Sequence, residues 1–377
     1  MLQHADPHGH AHAHVHHEES FFRKYIWSHD HKMIGKQFFF TALFFYAVGG
    51  LLALGVRSQY AWPAGQKWER VEARDASGAP VLEPSGVPRL EWKAVGEAPW
   101  YARLTNKVLK PLLQSPDDTV QLDAYNRAFT MHASVMIFLV IIPMLVGAFG
   151  NFVTPLQIGA GDMAFPFLNA LSYWMMWPAI GLLGWSFFVD GGAAQGGWTG
   201  YPPLSESAFT PGWGTTFWTM AVFIAGASSI MGAVNYITTI VKMRAPGMHL
   251  FRMPMTTWAI FITAILVLFA TPVLGSAMIM MTLDRTVGTS FFLPPDILAS
   301  GAPISTGQAG GGQVVMWQHL FWFYSHPAVY IMILPAMGIV SDVLSTFARK
   351  PLFGYKPMVF SVAGIAGLGF IVWGHHM

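Results

Sequence analysis

The chain has 377 residues, 53% of them hydrophobic and only 11% charged, with a mean hydropathy of +0.43. Soluble domains carry about 25% charged residues, so this composition excludes an ordinary soluble globule and points to an integral membrane protein. A formal net charge of +2 with no basic patch gives no sign of a nucleic-acid partner, and zero cysteines exclude disulfides, iron–sulfur clusters and thiolate metal sites within these residues.

In chain order, residues 1–27 read as a cytoplasmic tail rather than a signal peptide, because the first twenty are polar and His-rich. His4, His8, His10, His12, His14, His16 and His17 make it low-complexity, a solvated tail able to chelate copper or zinc only weakly. Seven apolar stretches then reach the roughly 20 residues needed to cross a hydrocarbon core: 34–56, 128–153, 167–189, 215–241, 256–282, 314–344 and 357–377. The fold class expected is therefore all-α, a polytopic transmembrane helix bundle. Residues 28–57 form its first helix and 128–377 carry helices two to seven. Between them, residues 58–127 have balanced charge and several Pro and Gly, too polar for lipid, and read as an extramembrane insertion. No internal repeat is evident.

Lys and Arg in short loops set the orientation. Arg23, Lys24, Lys32 and Lys36 precede span one; Lys242, Arg244 and Arg252 separate spans four and five; Arg349, Lys350 and Lys356 separate six and seven. These share one side, so the N-terminus is expected in the cytoplasm and the 58–127 insertion outside. From Thr130 to Val241 there is no Lys or Arg, and only Asp162, Asp190 and Glu206 are acidic.

Polar groups at membrane depth are costly and mark function by default. Span six carries His326 and, four residues on, Tyr330, on one helix face. Span seven ends on His375 and His376, neighbours that a regular helix would point about 100° apart; both reach one metal only from the helix edge or through a locally opened turn. Pro327, lacking an N–H, would loosen the ladder beside His326. Three imidazoles suit copper or iron and leave a copper position open for substrate. A lone intramembrane histidine is ordinarily a hydrogen-bonded core residue; three with a tyrosine suggest a copper site that reduces oxygen.

Phe321-Trp-Phe-Tyr-Ser-His-Pro-Ala-Val-Tyr330 and Phe370-Ile-Val-Trp-Gly-His-His-Met377 resemble the helix-six and helix-seven signatures of subunit I of heme–copper oxygen reductases, the cytochrome c oxidase catalytic subunit. Ser28-His-Asp-His-Lys32, Met131-His-Ala-Ser-Val-Met-Ile-Phe138, Gly147-Ala-Phe-Gly-Asn-Phe152, Gly161-Asp-Met-Ala-Phe-Pro166, Gly197-Trp-Thr-Gly-Tyr-Pro-Pro203 and Asn235-Tyr-Ile-Thr-Thr-Ile240 extend the resemblance over all but the tail and most of 58–127. It implies that His326, His375 and His376 ligate copper B, with Tyr330 covalently joined to His326 and supplying a proton and an electron. It implies that His132 is an axial ligand of a low-spin heme, of the a type or else the o type, and that Arg57 hydrogen-bonds a substituent of that heme. Trp198 and Tyr201 match a motif near heme propionates, although a plain aromatic belt also explains them.

Asp162 resembles the entrance of the family's D proton pathway, and Asn151, Asn169, Ser228, Ser229 and Asn235 match its polar lining. Singly, each Ser or Asn is more often a helix–helix hydrogen bond; their joint placement favours the pathway. The family's usual glutamate is replaced by Ala328, and Tyr324-Ser325 resembles the subgroup in which a Tyr-Ser pair substitutes. Ser341 resembles an entrance residue of the K pathway. The family has about twelve spans, so the second low-spin ligand, the high-spin heme's histidine and the K-pathway lysine would lie beyond these seven. The chain therefore reads as the N-terminal part of a longer subunit or one half of a split one, without isolated activity. The implied reaction is proton-pumping reduction of oxygen in the inner membrane of a bacterium, with oxidase subunits II and III as partners and cytochrome c, or a quinol, as donor. A nitric oxide reductase is the enzyme alternative, disfavoured by Tyr330 and the Asp162 series. A transporter or channel is the other, which needs no adjacent histidines facing a His–Tyr turn.

Overall fold

A computed structural model describes residues 20–62, 66–113, 122–294 and 311–377. The His-rich stretch of the tail lies outside them. The first long helix, α1 (His31–Ala61), starts where Asp30 turns its carboxylate back onto the free N–H groups of Lys32 (2.6 Å) and Met33 (3.4 Å), the usual role of an N-terminal Asp. After it comes an antiparallel hairpin, β1 (Gln66–Glu72) with β2 (Leu90–Glu97), and then α2 (Trp100–Leu113). The described part of the 58–127 segment thus holds a two-stranded sheet and a helix between α1 and the second span.

The second span begins at Leu122, six residues before the expected start. Helix α3 (Leu122–Val135) runs on through wide π-helical turns at Met136–Ile141 and Pro143–Gly150 into α4 (Asn151–Ile158). Gly159 takes a positive φ of 72° and stops it, which frees the loop that carries Asp162. The remaining helices are α5 (Pro166–Trp185), α6 (Gly214–Lys242), α7 (Met255–Val287), α8 (Val314–Ala348) and α9 (Tyr355–Gly369). Helices α5, α6, α7 and α8 pack in sequence order, α1 lies along α3 and α4, and α9 leans on α7 and α8.

Five helices among the described residues are long and apolar enough to cross a membrane: 31–58, 123–158, 214–242, 255–287 and 314–348. The expected third span is the 20-residue α5, whose four Trp and Tyr side chains lower its hydropathy without making it polar. The expected seventh ends as an α-helix at Gly369 and tightens into a 3₁₀ turn, Val372–His376. All seven segments are helical, as the apolar pattern predicts. The architecture is a polytopic helix bundle.

Without a hydrophobic drive between helices in lipid, close approach at small residues takes over. Gly338 on α8 sits so near α7 that a Cβ there would lie 2.7 Å from the Ala259 Cβ and 2.8 Å from the Thr256 Cα.

Candidate metal centre and its surroundings

Helix α8 presents His326 as a buried side chain, and its two internal prolines leave it unbroken over 35 residues. His375 and His376 sit at the end of the 3₁₀ turn Val372–His376, and their ring centroids lie 4.2 Å apart. The expected local opening is not found: the turn is wound tighter than an α-helix. One ligand atom from each of His326, His375 and His376 lies within 4.8 Å of the others. His326 Nδ1 is 3.0 Å from His376 Nε2, a spacing that two nitrogens each about 2 Å from one shared cation would have. The other nitrogen of His326, Nε2, is buried and has no hydrogen-bond partner. No carboxylate or thiol belongs to the cluster, so the donor set is wholly imidazole and suits copper, zinc or iron. The residues present fit such an ion.

Tyr330 is one turn beyond His326, with ring centroids 4.8 Å apart at 74°. Trp322, one turn before, stacks on His376 at 3.8 Å and 3° and donates its Nε1–H to the Tyr201 hydroxyl. Trp198 meets Trp322 edge-on at 5.9 Å and Phe321 at 5.4 Å. The indole that braces His376 was not singled out beforehand, yet its place four residues before His326 was a readable signal.

His132, on α3, lies 2.8 Å through Nδ1 from the Gly49 carbonyl of α1. A carbonyl only accepts, so Nδ1 carries the hydrogen and Nε2 keeps its lone pair for a ligand. Arg57 is exposed, eight residues beyond Gly49 on the same helix; neither it nor His132 belongs to the three-histidine cluster.

Asp162 lines a cavity of about 860 Å³ with His29, Asp30, His31 and Lys32. Burial pushes its pKa up, opposed by the Met163 N–H and by His31. Deeper, Asn169 donates to Asn151 (2.7 Å), and Asn151 donates to the Gly147 carbonyl (2.7 Å). Asn151, Ser228 and Ser229 line a mostly apolar void of about 50 Å³, room for a few waters. Ser229 also lines a second, about 10 Å³ void shared with Tyr324. Ser172 and Tyr236 of the first void were not foreseen, since a lone Ser or Tyr on an apolar helix carries no distinguishing pattern.

Not every expected lining residue is free. Asn235 is committed to the backbone of Phe165, donating to its carbonyl (3.0 Å) and accepting its N–H (2.9 Å). The Ser228 hydroxyl donates to the Ser172 carbonyl (2.5 Å). Ser325, beside the metal cluster, has a buried hydroxyl without a partner. Ser341 lies on the α8 turn that follows Met337, to whose carbonyl it donates (2.8 Å). Neither Ser341 nor Asn235 lines the voids just described.

Residues 33–377 match the family described as Cytochrome C and Quinol oxidase polypeptide I. A cytochrome c oxidase subunit 1 from Synechocystis sp. is 41% identical over 348 residues, 92% of this chain and 50% of the relative. That of Thermostichus vulcanus is 39% identical over 348 residues, with the same coverage. That of Cereibacter sphaeroides is 49% identical over 257 residues, 67% of this chain and 43% of the relative. The chain thus spans about half the length of the curated relatives it matches.

Proposed function

The chain belongs to the cytochrome c and quinol oxidase polypeptide I family, and from that premise we propose that it is the copper-bearing N-terminal part of a terminal oxidase reducing oxygen to water. The observation that carries this reading is the meeting of His326, His375 and His376 beside Tyr330. The three imidazoles would hold copper, which with the family's hemes would supply the redox chemistry for oxygen. His132 offers Nε2 to the low-spin heme, of the a type, and Arg57 and Trp198 border it.

The chain's own residues handle protons. Tyr330, joined to His326 in this reading, holds one at its phenolic oxygen beside the site. Asp162, its carboxyl partly buried, collects protons at the cavity of His29 and His31. Asn151, Asn169, Ser228 and Ser229 order water inward, since polar groups in an apolar wall can hold a file of water. Asn235 shapes the mouth by fixing Phe165, and Ser341 belongs to a second route. Ser229, on both voids, hands protons towards Tyr324 and Ser325 in place of the glutamate that Ala328 lacks. A phenol with an ordinary pKa near 10 passes protons through its hydrogen bonds rather than by standing ionised.

In this reading residues 28–57 and 128–377 are seven spans of a bacterial inner-membrane subunit. The tail (1–27) and Asp162 face the cytoplasm, and 58–127 lies outside. Subunits II and III complete the complex, and cytochrome c or a quinol donates electrons. The test uses the full-length subunit in its assembled complex: copper and heme content, with oxygen and nitric oxide turnover side by side. Copper with oxygen turnover, sharply reduced by Tyr330→Phe, is expected. A complex without copper, or one turning over nitric oxide with oxygen uptake indifferent to Tyr330→Phe, would overturn it.

A further inference from the structure

Helix α2 has three distinct sides. At about 100° per residue, Ala102, Asn106 and Leu109 share an arc of about 60°, and all three are buried. That side is docked on the end of α1: Asn106 accepts from the Ser58 hydroxyl at 2.8 Å, and Leu109 lies over Gly55, where a Cβ would be 2.3 Å from its Cδ1. A second arc of about 100° holds Trp100, Leu104, Val108 and Tyr101, exposed by 69%, 52%, 45% and 51%. Arg103 and Lys107, both exposed, lie between the two. Arg103 pairs with Glu97 at the surface, and such pairs hold their partners only weakly.

Near the same end of α1, Leu54 and Tyr60 are also 55% and 75% exposed. Helix α1 is long and apolar enough to cross a membrane, and α2 docks where it ends. Trp62 and Tyr101 touch edge-on at 5.6 Å where α1 ends, and Trp and Tyr concentrate at the water–lipid boundary. We propose that α2 lies in that boundary and binds anionic phospholipid. Trp100, Leu104 and Val108 enter the acyl region, while Arg103 and Lys107, a quarter turn away, meet the phosphates. The 58–127 insertion is then anchored to the bilayer along α2 instead of standing free in water.

These 377 residues contain no cysteine, so a nitroxide can be placed at Leu104→Cys, with Leu54→Cys as lipid reference and Ser77→Cys, in the exposed turn of the hairpin, as aqueous reference. The full-length complex is measured in nanodiscs of phosphatidylcholine with phosphatidylglycerol. At Leu104, collisions with oxygen should exceed those with a water-soluble nickel chelate, as at Leu54. Chelate access like that at Ser77 would overturn the proposal, and so would shielding from both probes, which marks a covering protein subunit. Arg103→Glu with Lys107→Glu should lower the preference for phosphatidylglycerol over phosphatidylcholine by roughly five-fold per cation, read from lipids retained in native mass spectrometry. Unchanged retention would overturn the anionic-lipid assignment.

Discussion

Asp342, towards the C-terminal end of α8, caps a helix other than its own. Its Oδ1 accepts the Met255 N–H (3.1 Å); its Oδ2 accepts the Thr256 N–H (3.0 Å), the Thr256 hydroxyl (2.6 Å) and the Gln157 amide (3.3 Å). No side chain at α7's own N-cap position caps it. Bonds to a charged acceptor contribute about 1.5–3 kcal/mol each when nothing replaces them, whereas loss of an ordinary N-cap costs about 0.5–2 kcal/mol because water recovers part. Asp342 is half-buried, so Asp342→Ala should cost about 2 kcal/mol locally. That corresponds to roughly 30-fold more frequent opening, read as faster amide exchange at Met255 and Thr256 by hydrogen-exchange mass spectrometry of the assembled complex. Asp342→Asn, which keeps an acceptor and loses the charge, should cost about 1 kcal/mol, roughly five-fold. Thr346→Ala removes only a hydroxyl bond to the Asp342 carbonyl and serves as control. Exchange in Asp342→Ala within two-fold of wild type would refute the cap.

Gly338→Val should force α8 off α7, because even a Cβ at that position has no room; metal analysis should find copper lost, and a full complement would contradict the close-contact argument. Trp322→Phe removes the indole bond to Tyr201 and much of the stack on His376; loss of such outer support ordinarily costs 10–100-fold in metal affinity, measurable by competition with a chelator. Glu206, in the loop before α6, is buried with neither carboxylate oxygen partnered, and burial pushes its pKa up to about 7, with Asp284 adding and Arg285 opposing. The fold therefore favours its protonated form. Stability from this source is complete below the unfolded pKa near 4.5 and fades as pH rises towards about 7. Thermal unfolding of Glu206→Gln should lose that decline, and identical pH profiles for both proteins would sink the argument.

The spans were legible because apolar runs of that length have few other uses, and His326 with Tyr330 was legible because a four-residue spacing shares a helix face. The convergence of His375 with His376 was not. The two rings meet in the 3₁₀ turn that follows the end of α9 at Gly369, and no apolar period encodes that turn. The hairpin escaped notice for a different reason. Every residue of β2 is exposed, and of β1 only Val71 is partly covered, so neither strand shows the one-sided alternation by which strands are read. Among the expected proton-path residues, Asn235 was recognisable as polar in an apolar helix, but its commitment to Phe165 depends on a loop 70 residues away.

One rod carries both His326, of the three-histidine cluster, and the cap on α7. From Asp342 to His326 is 16 residues of α8, about 24 Å of axis, so the Asp342 end is the fulcrum of a lever. A tilt of about 5° there would swing His326 by roughly 2 Å, and misplacements of about 1 Å already cost catalysis on the order of 100-fold. Substitutions far from any ligand, on the short side of that fulcrum, should thus register as misalignment at the metal before they register as unfolding.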